Sequence, residues 1–484
     1  MDETARLSFI RRWLAVPTFG LCLVASTLTA QQDVRLVTGD AAGAGFEADL
    51  RVLDLTPDGK HVLFLGEPSR SGPSAGISRG GFYLRNLASG TITLLFDKSP
   101  LEAAVSADGR FVAYSGGANI WRFDRFASNP QPISGNLNEE PHTPQISDDG
   151  RFIAYASVAT NAVVENPGAL PADGLPYVVI YDSETQTQRI VTTAPDGSAL
   201  DTGFGGVAWF QEFSFSGNGR YLFYSTDATN AHPDRDGATN QDFFWLYRRD
   251  LQTGEIIVAG KAADASVPPG NLTTPSTSTD GERVLFKGSF IGGDGLIPGY
   301  GNATGTDLYW KDLGSGDVIR VSATGDGAAP DGFINESSLS PNGLRAAFAS
   351  SAKNLRVPDD ENFFDIYSAT ILPDEGDVEM TQVSVGPDAS RNVDYTSGPF
   401  AADDYVAFNT QQWEEMLDQA GAGPSTHGVA VGTFPPAPAG SGARISLLDA
   451  DPVGFMRSAF RKMARAHSSL SANWATNAGK SVAL

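Results

Sequence analysis

The sequence predicts an all-β fold, and three observations lead to this prediction. The chain of 484 residues contains 53 glycines and 29 prolines, and only 19% of its residues are charged, a composition that favours turns over long exposed helices. A phrase of turn and strand residues recurs along the chain, and further strand-like segments follow most copies. Together these segments describe a repeated four-stranded unit.

The recurring phrase joins a tight turn to an apolar strand. Three copies read "SADGRFVAYSG", "SDDGRFIAYAS" and "SGNGRYLFYST". Gly tolerates the positive φ that a tight hairpin needs and an Asp or Asn side chain caps the turn, so each copy predicts a β-hairpin. The copies, of which the last is degenerate, begin at Thr56, Ser106, Ser147, Ser216, Ser278, Ser340 and Ala401.

Two further strand-like segments follow the hairpin. The third segment reads "GFYLRNLASG" from Gly81 and "DLYWKDLGSG" from Asp307, and the fourth reads "EIIVAG" from Glu255 and "VIRVSAT" from Val318. Four consecutive antiparallel strands in a unit of roughly forty to seventy residues make one blade of a β-propeller, with the hairpin nearest the axis. The sequence therefore predicts a seven-bladed β-propeller of four-stranded antiparallel blades over residues 31–450.

A ring of blades must close, and two segments compete for the closing position. Residues 34–38, "VRLVT", match the fourth-strand pattern although they precede the first hairpin. The segment "ARISLLD" from Ala443 fits the same place. We expect the N-terminal segment to complete the last blade, with the segment at Ala443 as the alternative.

The repeat resembles that of the TolB-like, or WD40-like, family of bacterial β-propellers. The shared pattern is a serine or other polar residue, Asp-Gly, a strand with an aromatic residue, and later a strand that ends in Asp before a Thr-Gly turn, as in "RRDLQTG". The match extends over residues 34–435 and implies the propeller fold. It does not imply a function, because propellers include enzymes, sugar binders and protein docking surfaces.

The first thirty residues predict a secretory signal peptide. Basic Arg6, Arg11 and Arg12 precede an apolar stretch, and "LTA" at residues 28–30 forms a cleavage site, with cleavage expected after Ala30. The apolar stretch is too short to span a membrane and contains a proline. We therefore expect an exported protein, periplasmic or extracellular, without a transmembrane span after cleavage. Cys22, the only cysteine, lies within this peptide.

The C-terminal residues 451–484 predict a short basic amphipathic helix. Arg457, Arg461, Lys462 and Arg465 alternate with apolar residues that share one face at 3.6 residues per turn. Such a helix docks on an acidic body or contacts an anionic surface. The net charge of the whole chain is −23, which disfavours a nucleic acid partner because phosphates would be repelled.

One loop carries a pattern of possible calcium ligands. In "HPDRDGATNQD", Asp234, Asp236, Asn240 and Asp242 surround a glycine turn, and hard cations such as Ca²⁺ prefer oxygen ligands of this kind. The spacing departs from that of an EF-hand, and capping of turns is the alternative role for these residues. Looser groups of the same type contain Asp294, Asn302 and Asp307, and Asp359, Asp360, Asn362 and Asp365.

His142 is the one candidate catalytic residue. It lies in "EEPHTPQIS", at the start of an innermost strand, where side chains line the mouth of a propeller. Proton abstraction beside a uronate carboxylate needs His together with Tyr and Arg, and a cation to neutralise the carboxylate. The sequence thus leaves two functions open. The first is a non-enzymatic, monomeric scaffold that binds a protein or a glycan, with no cofactor other than Ca²⁺, and the second is a lyase of acidic polysaccharide.

Overall fold

A computed structural model of the chain describes fourteen stretches of residues between the two ends. All of them belong to one compact unit, Gln32–Leu484. No helix in these stretches is long and apolar enough to cross a membrane. The described residues are 35–36, 48–68, 80–97, 102–171, 175–202, 213–235, 243–262, 264–290, 295–297, 305–325, 327–355, 364–384, 397–410 and 428–433.

The strands form antiparallel sheets of four. In chain order the strands are β1 (Arg35–Leu36), β2 (Ala48–Leu55), β3 (His61–Pro68), β4 (Gly81–Asn86), β5 (Ile92–Phe96), β6 (Ala103–Val105), β7 (Phe111–Gly116), β8 (Asn119–Asp124), β9 (Asn129–Pro132), β10 (His142–Ile146), β11 (Phe152–Ser157), β12 (Tyr177–Asp182), β13 (Thr187–Ile190), β14 (Phe213–Phe215), β15 (Tyr221–Thr226), β16 (Trp245–Asp250), β17 (Ile256–Val258), β18 (Gly270–Thr277), β19 (Arg283–Phe290), β20 (Asp307–Asp312), β21 (Val318–Arg320), β22 (Ile334–Leu339), β23 (Arg345–Ser350), β24 (Asp365–Leu372), β25 (Asp377–Gln382), β26 (Ser397–Ala401), β27 (Tyr405–Thr410) and β28 (Gly428–Thr433).

Six of the sheets are continuous blades, each made of four consecutive strands paired in chain order. Blade 1 contains β2 to β5, blade 2 contains β6 to β9, blade 3 contains β10 to β13, blade 4 contains β14 to β17, blade 5 contains β18 to β21, and blade 6 contains β22 to β25. The innermost strand of each blade contacts the innermost strand of the next. The fold is therefore a β-propeller.

The remaining sheet is a composite that closes the ring. It contains β26, β27 and β28 from the C-terminal part of the chain and β1 from the N-terminal part, with Arg35 opposite Val431 and Leu36 opposite Ala430. β26 contacts both β22 of blade 6 and β2 of blade 1. The expected closure by the N-terminal segment is confirmed at Arg35–Leu36, and the alternative segment at Ala443 lies outside the described residues. We call this composite the closing sheet.

The expected seven-bladed propeller is wrong, because the described residues form six blades of four consecutive strands. Within the described residues no seventh unit of four consecutive strands follows, since the outer position of the closing sheet is taken by β1. The described residues contain no α-helix, and their helical segments are two 3-10 turns, Pro167–Ala169 and Pro233–Arg235. The described fold is thus all-β. The signal peptide and the basic tail 451–484 fall outside the described residues.

Hydrogen bonds inside the turn explain the recurring phrase. In blade 3, Ser147 Oγ donates to Asp149 Oδ1 at 2.6 Å and accepts from the Phe152 N–H at 2.9 Å. The Asp149 carboxylate also accepts from the Arg151 N–H at 2.9 Å. Gly150 has a φ of +72°, a region in which L residues are strained. The turn therefore requires the serine, the aspartate and the glycine of the phrase, which explains why they recur.

The aromatic residue after the turn packs under the turn of the next blade. A Cβ on Gly150 would lie less than 3.0 Å from the Phe111 ring of blade 2, and a Cβ on Gly281 less than 3.0 Å from the Tyr221 ring of blade 4. At the ring closure, Gly59 of blade 1 lies against Tyr405 of the closing sheet in the same way. The glycine thus has a second role, because only a residue without a side chain admits the neighbouring ring.

A second set of contacts joins the blades near the axis. The side chain two positions before the phrase accepts a hydrogen bond from a backbone N–H of the next blade. Ser214 accepts from Thr277 at 3.1 Å, and Ser276 accepts from Leu339 at 2.9 Å. Blade 1 has Asp54 at this position, which accepts from Val105 of blade 2 at 2.8 Å. The innermost strands are thereby bonded to each other through side chains.

Candidate functional site

The predicted calcium loop is described only in part. Asp234 lies in the 3-10 turn Pro233–Arg235, whereas Asp236, Asn240 and Asp242 lie outside the described residues. Asp234 Oδ2 accepts from Lys261 Nζ at 2.6 Å, and Oδ1 lies 3.8 Å from His232 Nδ1. The hydrogen bond from Lys261 lowers the pKa of Asp234. The carboxylate is therefore already neutralised by an ammonium group.

The described surroundings of Asp234 are cationic. Its neighbour Arg235 is completely buried, and Lys311 donates to the backbone oxygen of Lys261 at 2.5 Å. Burial lowers the pKa of Lys311 to about 8. Among the described residues, no three His, Cys, Asp or Glu side chains are arranged to hold a metal ion. A calcium ion at Asp234 would have to displace Lys261, and calcium binding stays a prediction.

The described members of the two looser groups have structural partners. Asp307 accepts from Ser322 Oγ at 3.2 Å and lies 3.7 Å from Arg320, and both residues are buried. Asp365 occupies the same position in blade 6 and accepts from Ser384 Oγ at 2.8 Å. Both carboxylates therefore brace the start of a third strand. Their sequence companions, Asp294, Asn302, Asp359, Asp360 and Asn362, lie outside the described residues.

His142 begins β10 and lies beside a carboxylate. Its Nδ1 atom is 3.9 Å from Glu102 Oε2, and the same oxygen accepts from the Thr143 N–H at 2.5 Å. Both side chains are partly exposed. A lyase needs cationic groups that bind the uronate carboxylate of its substrate. The group described beside His142 is instead the carboxylate of Glu102.

The backbone beside His142 is strained in a way that the sequence analysis did not predict. Thr143 has a φ of +46°, and Thr274 in blade 5 has a φ of +47°. Each Thr precedes a proline, and each lies where the pairing of the innermost strand shifts register. A β-branched residue at positive φ is unfavourable. The signal in the sequence was the pair "TP", which occurs three residues before the serine in two copies of the phrase.

Two overlapping strings in the sequence, "GPSAG" and "GISRG" at residues 72–80, match the G-x-S-x-G motif of hydrolases. That motif places its serine on a sharp turn from a strand to a helix. Here the strings fall between β3 and β4, two strands of one blade. Residues 72–79 lie outside the described residues, so no serine of this motif is assigned a role.

An exposed aromatic residue lies among arginines on blade 2. The Phe126 side chain is 71% exposed, and the guanidinium carbons of Arg125 and Arg110 lie 5.0 Å and 5.6 Å from its ring centroid. Arg110 donates hydrogen bonds to the Asp124 carboxylate from Nε at 3.1 Å and 3.2 Å and from Nη2 at 2.8 Å. This group, Arg110, Arg125 and Phe126, is called the Phe126 patch below.

Several buried polar groups gather on one face of blade 4. Trp245, Tyr247 and Arg249 alternate along β16, so their side chains share the face that packs on blade 3. Tyr224 lies opposite Tyr247, and their rings stack at 5.7 Å. The guanidinium carbon of Arg235 is 4.9 Å from the Trp245 ring centroid. The sequence gives no sign that these groups meet, because a single blade repeat does not show which buried polar residues face each other.

Comparison with known proteins gives similarity of fold. No family model matches the sequence, and no curated protein matches it. Among solved structures, TolB from Acinetobacter baumannii is 15% identical, with 69% of this chain and 63% of that chain covered and a TM-score of 0.37. The β-propeller domain of the Trilobed protease from Pyrococcus furiosus is 12% identical, with coverages of 76% and 91% and a TM-score of 0.46.

A third similar structure is the Pyrococcus horikoshii acylaminoacyl peptidase. It is 13% identical, 78% of this chain and 50% of that chain are covered, and the TM-score is 0.46. The present chain thus spans half of that peptidase and less than two thirds of the Acinetobacter TolB. TolB-like propellers are among the structures that this chain resembles, as the recurring phrase indicates, and the likeness concerns the fold alone.

Proposed function

We propose that this β-propeller is an exported, non-enzymatic scaffold that binds a protein or a glycan. The observation that carries the proposal is that the recurring polar residues are used within the fold. The serine and aspartate of each phrase bond to their own turn, as Ser147 and Asp149 do. The arginines that follow bind carboxylates at the ends of third strands, as Arg151 binds Asp182 at 2.7 Å. The repetition of these residues is therefore explained by their structural role in each blade, and it does not indicate catalysis.

The Phe126 patch is the surface that we assign to the partner. An exposed aromatic ring beside Arg125 presents an apolar surface and positive charge together, while the guanidinium of Arg110 is paired with Asp124. Arg and aromatic residues are enriched at binding hot spots. The rest of the chain is strongly acidic, so a partner that carries carboxylates is attracted to this patch and repelled elsewhere.

Affinity electrophoresis tests this assignment. The mature protein is run through gels that contain alginate, polygalacturonate or neutral dextran, and is also titrated with poly-glutamate as a model acidic protein segment. We expect retardation by one acidic polymer, reduced by Phe126→Ala and by Arg125→Ala. Phe333→Ala is the matched control, because Phe333 is 76% exposed. Equal retardation of all variants, or of none, contradicts the assignment.

The lyase alternative predicts a product that is easy to detect. Cleavage by β-elimination leaves an unsaturated uronate, which absorbs in the ultraviolet. We expect no increase in absorbance on alginate or polygalacturonate, since the described contact of His142 is with Glu102. An increase in absorbance that is lost in His142→Ala would show that the protein is a lyase and not a non-enzymatic scaffold.

Export is tested by the mature N-terminus. The full chain is expressed in a Gram-negative host, and the periplasmic fraction is sequenced from its N-terminus. Cleavage at the expected site gives a protein that begins at Gln31. Recovery of the intact chain from the cytoplasm contradicts export.

A further inference from the structure

The buried face of blade 4 that carries Trp245, Tyr247 and Arg249 contains polar groups without hydrogen-bond partners. Trp245 is 3% exposed, and its indole N–H has no hydrogen-bond partner. Tyr224 is completely buried, and its hydroxyl likewise has none. An indole can only donate, and leaving a buried donor unpaired costs about 1–3 kcal/mol. Two such donors on one face indicate that an acceptor belongs there.

Positive charge lies at both ends of this face. Arg235 covers the end near Trp245, where its Nη2 donates to the Phe243 oxygen at 2.8 Å. Arg249 lies at the other end, and its described hydrogen bonds go to the backbone oxygen and hydroxyl of Thr193, at 3.2 Å and 2.7 Å. Both of these acceptors are neutral. The guanidinium of Arg249 is only partly buried, and an anion beside it would be stabilised by its charge.

The opposite wall is apolar and small. The face packs against blade 3 through Ala154, Ala156, Val178 and Ile180. Blade 3 therefore supplies no acceptor from these four residues. The hydrophobic surroundings strengthen any electrostatic interaction within the junction.

We propose that the junction of blades 3 and 4 binds a small oxyanion, a carboxylate or a phosphate, with Tyr224 and Trp245 as neutral donors and Arg235 and Arg249 as the source of positive charge. The bound anion joins the two blades, because it lies on the blade 4 face against blade 3. The site is adjacent to the loop in which the sequence predicts a bound cation. The ligand proposed here is an anion instead. This proposal is independent of the scaffold function.

Thermal melting of the mature protein tests the proposal. The protein is incubated with sodium phosphate or sodium acetate, and each is compared with sodium chloride of the same ionic strength. We expect a saturable rise in Tm with one of the two oxyanions, since a ligand that binds only the folded state stabilises it. A rise with phosphate alone assigns a phosphate group, and a rise with acetate assigns a carboxylate.

Two conservative variants and a matched control separate binding from general salt effects. Tyr224→Phe and Trp245→Phe each remove one donor and keep an aromatic ring, and we expect each to lose at least half of the anion-dependent rise. Tyr114→Phe is the control, because the Tyr114 hydroxyl in blade 2 is also buried without a partner, among Phe82, Phe96 and Trp121. We expect its anion response to equal that of the wild type. Equal responses of all four proteins, or no rise above sodium chloride, overturn the proposal.

Discussion

Two junctions of the propeller differ in the side chain that packs beneath the turn of the next sheet. Between blades 4 and 5 the Tyr221 ring lies under Gly281, and Arg220 and Arg248 lie over that ring at 4.9 Å and 4.5 Å. Between blade 6 and the closing sheet the turn is shorter, with Asp403 and Asp404 in place of the glycine. Arg345 lies where the aromatic residue would be and interacts with both carboxylates.

The difference shows what the glycine of the phrase contributes. Beneath Gly281 the neighbouring blade places the Tyr221 ring, whereas beneath Gly343 it places Arg283, so the glycine leaves room for either side chain. Where the turn carries aspartates, the contact is between charges, and Asp403 also accepts from the Asn342 N–H at 2.9 Å. The packing of a ring against a turn is nearly insensitive to salt, whereas an attraction between charges weakens as salt screens it. The following predictions test this distinction.

The largest effect is expected where a side chain is added beneath a ring. Gly281→Val places a branched side chain at a φ of +71° and against Tyr221. We expect the free energy of unfolding to fall by up to about 6 kcal/mol, as backbone strain and overpacking add. Gly254→Val is the control, because Gly254 has a φ of +80° and open space around its Cβ position, and only the strain remains. Equal losses in urea unfolding would show that the ring does not limit this position.

The second prediction concerns Asp54, which replaces the serines of the inner contacts. Burial raises the pKa of Asp54 to about 7, and nearby Asp148 adds to the rise. A carboxyl with a raised folded pKa stabilises the protein below its unfolded pKa near 4, and this stabilisation is lost as the pH rises to about 7. The loss amounts to about 4 kcal/mol for a shift of three units.

The Asn side chain of Asp54→Asn does not titrate, so we expect this variant to lack the decline in stability between pH 4 and pH 7. Urea unfolding between pH 4 and pH 8 measures the free energy of unfolding of both proteins. Ser276→Ala, at the equivalent position of blade 5, should keep the pH dependence of the wild type. A wild-type stability that does not decline over this range would contradict the raised pKa.

The third prediction concerns salt at the charged junction. Asp403→Asn removes one of the two carboxylates near buried Arg345. Burial raises the pKa of Asp403, which offsets part of the attraction, so we expect a net loss of about 1–2 kcal/mol at low salt. In 1 M salt the loss should shrink, because screening then acts over about 3 Å. Phe111→Leu, at the apolar junction of blades 2 and 3, should cost the same at both salt concentrations. A salt-independent loss in Asp403→Asn would show that the aspartate acts through its backbone hydrogen bond.

The smallest effect is expected at the rim, where Lys261 binds Asp234. Calcium bracing predicts that Ca²⁺ raises Tm relative to EDTA and that Asp234→Ala/Asp236→Ala loses the rise. We expect a rise worth about 1 kcal/mol or less, because the ammonium group must be displaced from a half-exposed carboxylate. Lys261→Met should enlarge the rise. An unchanged Tm in both the wild type and Lys261→Met would leave Asp234 as a partner of Lys261 alone.

Much of the fold was predictable because its repeat is local. The hairpin turns depend on serine, aspartate and glycine within six residues, as at Ser147, and such hydrogen bonds form wherever the phrase occurs. The pairing of β1 with β28 was predictable as well, since "VRLVT" fits a fourth strand and stands alone before the first hairpin. The third strand also packs between blades, since Trp310 in β20 is buried and donates to the Gly343 oxygen of blade 6 at 2.7 Å.

The candidate site was less predictable, because its properties arise between blades. The sequence indicated oxygen ligands at Asp234, but it gave no sign that Lys261 would reach that carboxylate from 27 residues away. It placed His142 at the start of an innermost strand but not beside Glu102, which belongs to another blade.

The sequence by itself determined the blade, because the turn chemistry and the alternation of each strand act over a few residues. Only the tertiary structure decided how blades meet. The ring under Gly281, the charge on Arg345 and the donors around Trp245 each depend on residues from neighbouring sheets. Contacts across a junction join residues that are far apart in the chain. Because the repeat is similar in every blade, the sequence does not show which of the residues that differ between blades will contact each other.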